Sequence, residues 1–206
     1  MSVRPVSARR HGTPPVDGTI EALRVALAGR PTKLLHGHRL IPAAVLVLLY
    51  AKNGDYCVLL NVRTNTVEHH KGEISFPGGA RDPEDPDDLA TALRETYEEM
   101  GIHTEDVAVL GQLDEVATRS GYAVRVFVGT IPYPYPFKPS PLEIAQVLEV
   151  PVKALLAPGN RREEVRWVDG KGVTSYGYAH GGHLVFGVTA QILTQFLQLA
   201  ADTVQL

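Results

Sequence analysis

Three glutamates hold the most specific chemistry in this chain. Glu95, Glu98 and Glu99 lie in the run Arg94-Glu95-Thr96-Tyr97-Glu98-Glu99-Met100-Gly101. On a helix they are related by i, i+3 and i+4, so their side chains become surface neighbours. Like charges placed this way repel by a few tenths of a kcal/mol per pair. A cation would offset that cost, and oxygen-only clusters suit hard ions such as magnesium, which bridges carboxylates to substrate phosphates. The run reads either as a metal site or as a solvated acidic face. The upstream Phe76-Pro77-Gly78-Gly79 favours the metal. Glycines at 78 and 79 let backbone come close to a ligand with no side chain in the way.

The elements that must position these acids follow from local signals. Asp85 is a candidate N-cap, Pro86 suits a first helical position, and Asp87 and Asp88 favour the positive end of the helix dipole. Gly101 sits where a left-handed C-terminal cap belongs. Leu89, Leu93, Thr96, Tyr97 and Met100 form a stripe expected to face the core, opposite the three glutamates. Arg94 stands one turn before Glu98 and can fix its rotamer.

Upstream of the glycines, the runs 43–50 and 56–62 read as strands joined at Asn53-Gly54, with a further strand over 73–76. Downstream, 107–113 and 124–131 read as strands flanking the loop Arg119–Gly121. The proline-rich 132–139 reads as an extended surface loop. A helical turn over 151–156, a hairpin over 165–178 turning at Asp169-Gly170, and a helix from Gly187 to about 201 complete the chain. Near the start, Asp17 or Thr19 caps a short helix carrying Ile20, Leu23 and Leu27, while 1–16 has the composition of a disordered segment.

The segment from Gly79 to Ile102 resembles the Nudix box, G-x(5)-E-x(7)-R-E-U-x-E-E-x-G-U with U aliphatic. Arg94-Glu95-Thr96-x-Glu98-Glu99-x-Gly101-Ile102 matches its second half except at Thr96. In the first half the acidic position is Asp85, followed by one residue more than the pattern has, and Asp85 is therefore assigned to capping. That insertion, the segment Leu59-Leu60-x-x-Arg63-Thr64, and His70-x-Gly72-x-Ile74-x-Phe76-Pro77-Gly78-Gly79 are similar to the coenzyme A pyrophosphatase branch of Nudix hydrolases. Glu68 departs from it, standing where that branch has arginine.

The resemblance implies an α/β fold, an α/β/α sandwich with a mixed β-sheet flanked by helices. Residues 39–203 would form one Nudix domain, with the box at about 79–102, after an extension over 1–38. It also implies Mg2+ or Mn2+ held by Glu95, Glu98, Glu99 and the Gly79 carbonyl, and a small coenzyme A-like nucleotide as substrate, with a homodimer possible.

Composition sets the outer limits. A 206-residue chain with 44% hydrophobic content can bury one core. A net charge of −3 gives no global pull toward nucleic acid or anionic membrane. The lone Cys57 excludes a disulfide within the chain and a cysteine-based zinc site, and fits a reducing compartment. The longest apolar run, Ala43 to Ala51, is far short of the roughly 20 residues a membrane-spanning helix needs. The first fifteen residues lack the apolar core of a secretory signal, and Val204-Gln205-Leu206 is not a peroxisomal address, so a cytoplasmic location is expected.

Beyond the box, Glu143 is a candidate general base or second-metal ligand, alternative to Glu98 as the group that activates water. Arg94 is expected to orient Glu98. Arg63, His70, Gly78, Gly79 and Arg119 are candidate substrate contacts. His180 and His183 invite a metal reading but lack further nearby ligands. The expected reaction is metal-dependent hydrolysis of the diphosphate of coenzyme A or its acyl derivatives. A Nudix hydrolase for ADP-ribose, NADH or nucleoside triphosphates is the nearest alternative, and a non-catalytic nucleotide sensor is the alternative of a different class.

Overall fold

A computed structural model describes residues 17–35, 40–64, 72–168 and 171–203. The expectations that fall on 1–16, Glu68, His70, Asp169-Gly170 and 204–206 lie outside the described residues.

The apolar runs become a mixed sheet. Strand β1 (Ile41–Lys52) turns through Asn53 and Gly54, both with positive φ, into β2 (Asp55–Arg63), as the Asn-Gly signal required. The two strands pair only where they meet, from Leu49↔Val58 to Lys52↔Asp55, and then diverge. The next segment fills the gap between them. Its first part, β3 (Ile74–Ser75), pairs with β2, and its second, β4 (Gly78–Ala80), pairs with β1. The glycines at 78 and 79 therefore lie in a short strand. Gly78 has φ 148°, and a Cβ there would meet the Ala44 carbonyl at 2.3 Å, so its glycine serves the approach to β1.

Strand β5 (Ala108–Gln112) and the two-residue β6 (Val116–Ala117) both pair antiparallel with β7 (Tyr122–Thr130), which runs parallel to β1. A strand that the sequence reading missed, β8 (Ile144–Pro151), pairs with β2. Its apolar residues do not alternate cleanly, and its register against β2 shifts by a bulge between Ile144 and Gln146.

Strict alternation along β1 builds two cores. Ala44, Leu46, Leu48 and Tyr50 face one side, where Ala92 and Met100 of helix α2 (Asp88–Met100) and Ile102 just beyond it pack on them. Ala43, Val47 and Leu49 face the other side, against helices α1 (Gly18–Ala28), α3 (Val152–Leu156) and α4 (Gly187–Thr203). A separate sheet of β9 (Arg161–Val168), β10 (Lys171–His180) and β11 (His183–Val185) joins that second layer through Tyr178 and Val185. Helices therefore flank both faces of a mixed sheet, the expected α/β architecture. Among the described residues, no helix is long and apolar enough to cross a membrane.

Two expectations for α2 are corrected. Its N-cap is Asp87, whose side chain accepts from the Ala90 amide, so Pro86 lies before the helix and Asp85 does not cap it. Its buried side is Thr91, Ala92, Thr96, Glu99 and Met100, while Tyr97 is 50% exposed. The helix is rotated relative to the expected stripe, which turns Glu99 inward. Gly101 does close it in the left-handed conformation (φ 67°). The proline-rich segment is not wholly at the surface either. Tyr135 is buried, donating to Asp106 at 2.7 Å and accepting from the His103 amide at 3.0 Å.

Candidate active site

The divergence of β1 and β2 makes the site. It leaves the end of β2 and the start of β4 facing the C-terminal turn of α2, where Glu99 enters with only 1% of its surface exposed. Glu99 Oε2 accepts from the Asn61 side-chain amide at 3.0 Å and from the Gly78 N–H at 3.2 Å, and Oε1 accepts from Arg63 Nη1 at 3.2 Å. Asn61 and Arg63 lie on the same face of β2 as Leu59, by the period of two. Asn61 in turn accepts from the Ser75 hydroxyl at 2.6 Å across the β2–β3 pairing.

Burial dominates the electrostatics of Glu99. Desolvation pushes its pKa up to about 7, Arg63 and the Gly78 N–H oppose that rise, and the charges of Glu95 and Glu143 add to it. Burial raises Glu95 as well, against its contact with Arg94, with Glu98 and Glu143 repelling it. These repulsions bring Glu143, which lies outside the box, into the same electrostatic cluster. Its loop is tied to the helix end by the Ser140 N–H donating to the Glu99 carbonyl at 2.9 Å.

Arg94 organises the outer part of the cluster. Its Nη1 donates to Glu95 at 2.8 Å and to Glu98 at 3.0 Å, as the spacing had suggested for Glu98. Its Nε and Nη2 grip Asp85 at 3.0 and 2.9 Å. Asp85 also accepts from the Thr91 hydroxyl and the Asp82 amide, and its pKa is driven well below the usual carboxylate range, chiefly by Arg94. Asp85 is therefore the anchor of Arg94. Gly79 packs against the Glu95 carboxyl, where a Cβ would stand 2.5 Å from Cδ.

The site thus brings together Arg63, Gly78, Gly79, Arg94, Glu95, Glu98, Glu99 and Glu143. Arg119 is exposed in the β6–β7 turn and makes no contact with this cluster. His180 and His183 face each other across the β10–β11 turn. Among the described residues, no three histidine, cysteine, aspartate or glutamate side chains stand as a ready-made metal cage. Asn61 and Ser75 were not picked out from the sequence. The only signal for Asn61 was a polar amide in the apolar run Cys57-Val-Leu-Leu-Asn61-Val62, and Ser75 had none.

The NUDIX domain family model matches residues 40–176. The chain belongs to the Nudix hydrolase family. An uncharacterized Nudix hydrolase of Photorhabdus laumondii is 34% identical over 179 residues, covering 87% of this chain and 94% of that protein. A peroxisomal coenzyme A diphosphatase of Mus musculus is 37% identical over 115 residues, covering 56% of this chain and 49% of the mouse protein. Among solved structures, a Nudix hydrolase from M. smegmatis superposes with a TM-score of 0.55 at 21% identity, over 85% of this chain and 96% of that one, a likeness of fold alone. As a Nudix hydrolase the chain is a pyrophosphohydrolase acting on a nucleoside diphosphate derivative, in a family whose members generally need divalent metal ions.

Proposed function

We propose that this chain hydrolyses the diphosphate linkage of coenzyme A or its acyl derivatives, giving 3′,5′-ADP and the (acyl-)phosphopantetheine. The observation that carries the catalytic reading is Glu99. It is a carboxylate withheld from water beside two further acids, and its contacts supply less positive charge than its burial calls for. The coenzyme A specificity is supported by the signature running from Leu59 to Gly79 and by the likeness to the mouse coenzyme A diphosphatase.

The donor set suits a hard divalent ion, since every candidate group offers oxygen. Glu95, Glu98 and Glu99, with the Gly79 carbonyl, would hold Mg2+ or Mn2+. Bound there, such an ion neutralises diphosphate charge and lowers the pKa of a coordinated water. The chain's own groups do the rest. Asp85 fixes the Arg94 guanidinium, which sets the spacing of Glu95 and Glu98. Arg63, partly open to solvent, offers its charge to a phosphate oxygen. Glu98 or Glu143 accepts the proton of the attacking water.

The test is turnover of coenzyme A, acetyl-coenzyme A, ADP-ribose, NADH and nucleoside triphosphates by purified protein with magnesium. A clear preference in kcat/KM for coenzyme A or its acyl form is expected. Preference for ADP-ribose or NADH would overturn the specificity, and turnover of none would leave a nucleotide sensor.

A further inference from the structure

Asn61 belongs to no motif, yet it is completely buried and turns both ends of its side-chain amide to partners at the site. Its Nδ2 donates to Glu99 Oε2 at 3.0 Å, and its Oδ1 accepts from the Ser75 hydroxyl at 2.6 Å. We infer that Asn61, locked by Ser75, is a positioning residue that dictates which oxygen of Glu99 faces the reaction. The inference rests on the proposed metal-dependent hydrolysis.

The two Glu99 oxygens are held in different ways. Oε2 takes two neutral donors, Asn61 and the Gly78 N–H, both fixed to the strand framework. Oε1 takes only Arg63 Nη1 at 3.2 Å, from a side chain that remains 23% exposed. Neutral donors orient a carboxylate without cancelling its charge. An arginine in their place would satisfy Glu99 and remove its attraction for a cation. Asn61 therefore aims the carboxylate without neutralising it, and Oε1 is left as the oxygen that can exchange its arginine contact for an ion.

Glu99 in its ionised form settles which way round the amide lies, because a serine hydroxyl can donate or accept. A flipped Asn61 would set Oδ1 against Glu99, and an ionised carboxylate has no proton to donate to it. In the observed orientation the hydroxyl donates to Oδ1 and the amide donates to Glu99, so the hydrogen bonds run in one direction from Ser75 to Glu99. Register fixes the pair, because Asn61 and Ser75 are direct partners in the β2–β3 ladder.

The experiment compares the wild-type chain, Asn61→Leu, Asn61→Ser and Ser75→Ala. Mn2+ binding is read by electron paramagnetic resonance of the free ion, without substrate. Steady-state kinetics and thermal melting in chelator are measured beside it. Asn61→Leu keeps the branched shape, though it is larger, and removes both hydrogen bonds, so Mn2+ binding and kcat are expected to weaken about 10- to 100-fold with KM for substrate little changed. Ser75→Ala leaves the amide in place without its lock and is expected to weaken Mn2+ binding by about threefold, a fraction of the Asn61 effect. Should Asn61→Leu fail to fold, Asn61→Ser, smaller and polar, carries the same expectation. If the folded Asn61 variants bind Mn2+ and turn over like wild type, differing only in melting temperature, Asn61 is a packing residue and the inference is overturned. If the wild-type chain itself neither binds Mn2+ nor hydrolyses a diphosphate, the proposed function falls first and this inference with it.

Discussion

Asp85 and Glu99 lie on either side of Arg94 and are both nearly closed to water, 8% and 1% exposed, yet their proton affinities move in opposite directions. Asp85 receives two guanidinium N–H groups from Arg94 together with a hydroxyl and an amide, and is held ionised far below the usual range. Glu99 is pushed up to about 7 chiefly by desolvation, against a neutral amide at 3.0 Å and a backbone N–H and an arginine contact each at 3.2 Å, while two further carboxylates repel it. Burial alone does not determine what an acid does. Where the charge is matched in place, the acid is structural. Where matching is incomplete, the acid is available to an incoming cation.

The sharpest way to break this comparison is Glu99→Gln. Catalysis is expected to fall at least about a hundredfold, while the fold is retained because the amide keeps the shape of the site. Turnover within a few fold of wild type would remove Glu99 from the metal set. Asp85→Asn should act mainly on stability, costing about 2 kcal/mol in urea unfolding because the Nε and Nη2 side of a partly buried guanidinium loses its anion. Gly79→Ala probes the position between them. The added Cβ displaces the Glu95 carboxyl, so kcat is expected to drop about tenfold, with unfolding free energy changed by less than about 1 kcal/mol because a side-chain end can move aside.

The smallest expected effect is a pH dependence. The folded chain keeps a proton on Glu99 up to about pH 7, whereas the unfolded chain releases it near the ordinary value of 4.5. Stability from this group is therefore full below 4.5 and is lost as pH rises through 7. Asp85 contributes the opposite slope, but only below its ordinary value of 3.8, so it is silent above pH 5. Without divalent ions, the melting temperature should fall by a few degrees from pH 5 to pH 8 in wild type, and the slope should flatten in Glu99→Gln.

Much of the framework was legible because its signals are local. The apolar run from Ala43 to Tyr50, the Asn53-Gly54 turn and Gly101 each rest on neighbouring residues, and each formed as read. The errors cluster where a distant group decided the outcome. Asp85 looked like a cap because Pro86 follows it, but Arg94, nine residues on, claimed its carboxyl. Tyr97 looked like core by periodicity, but the sheet accepts a face of the helix that includes Glu99 instead. The strand β8 was missed because its pairing with β2 spans more than eighty residues and its own pattern is weak.

The sequence by itself determined that three acids share one helical turn, that an arginine precedes them and that glycines lie upstream, because spacing on a helix fixes neighbours and glycine fixes where backbone can approach. Only the tertiary structure decided that Glu99 goes inward and Glu98 outward. It alone brought Asn61, Ser75, Arg63 and Glu143 to the same carboxylates. The physical reason is that a carboxylate's charge state depends on desolvation and on donors from other strands. Those are set by how β1 and β2 diverge, which no local run of residues encodes.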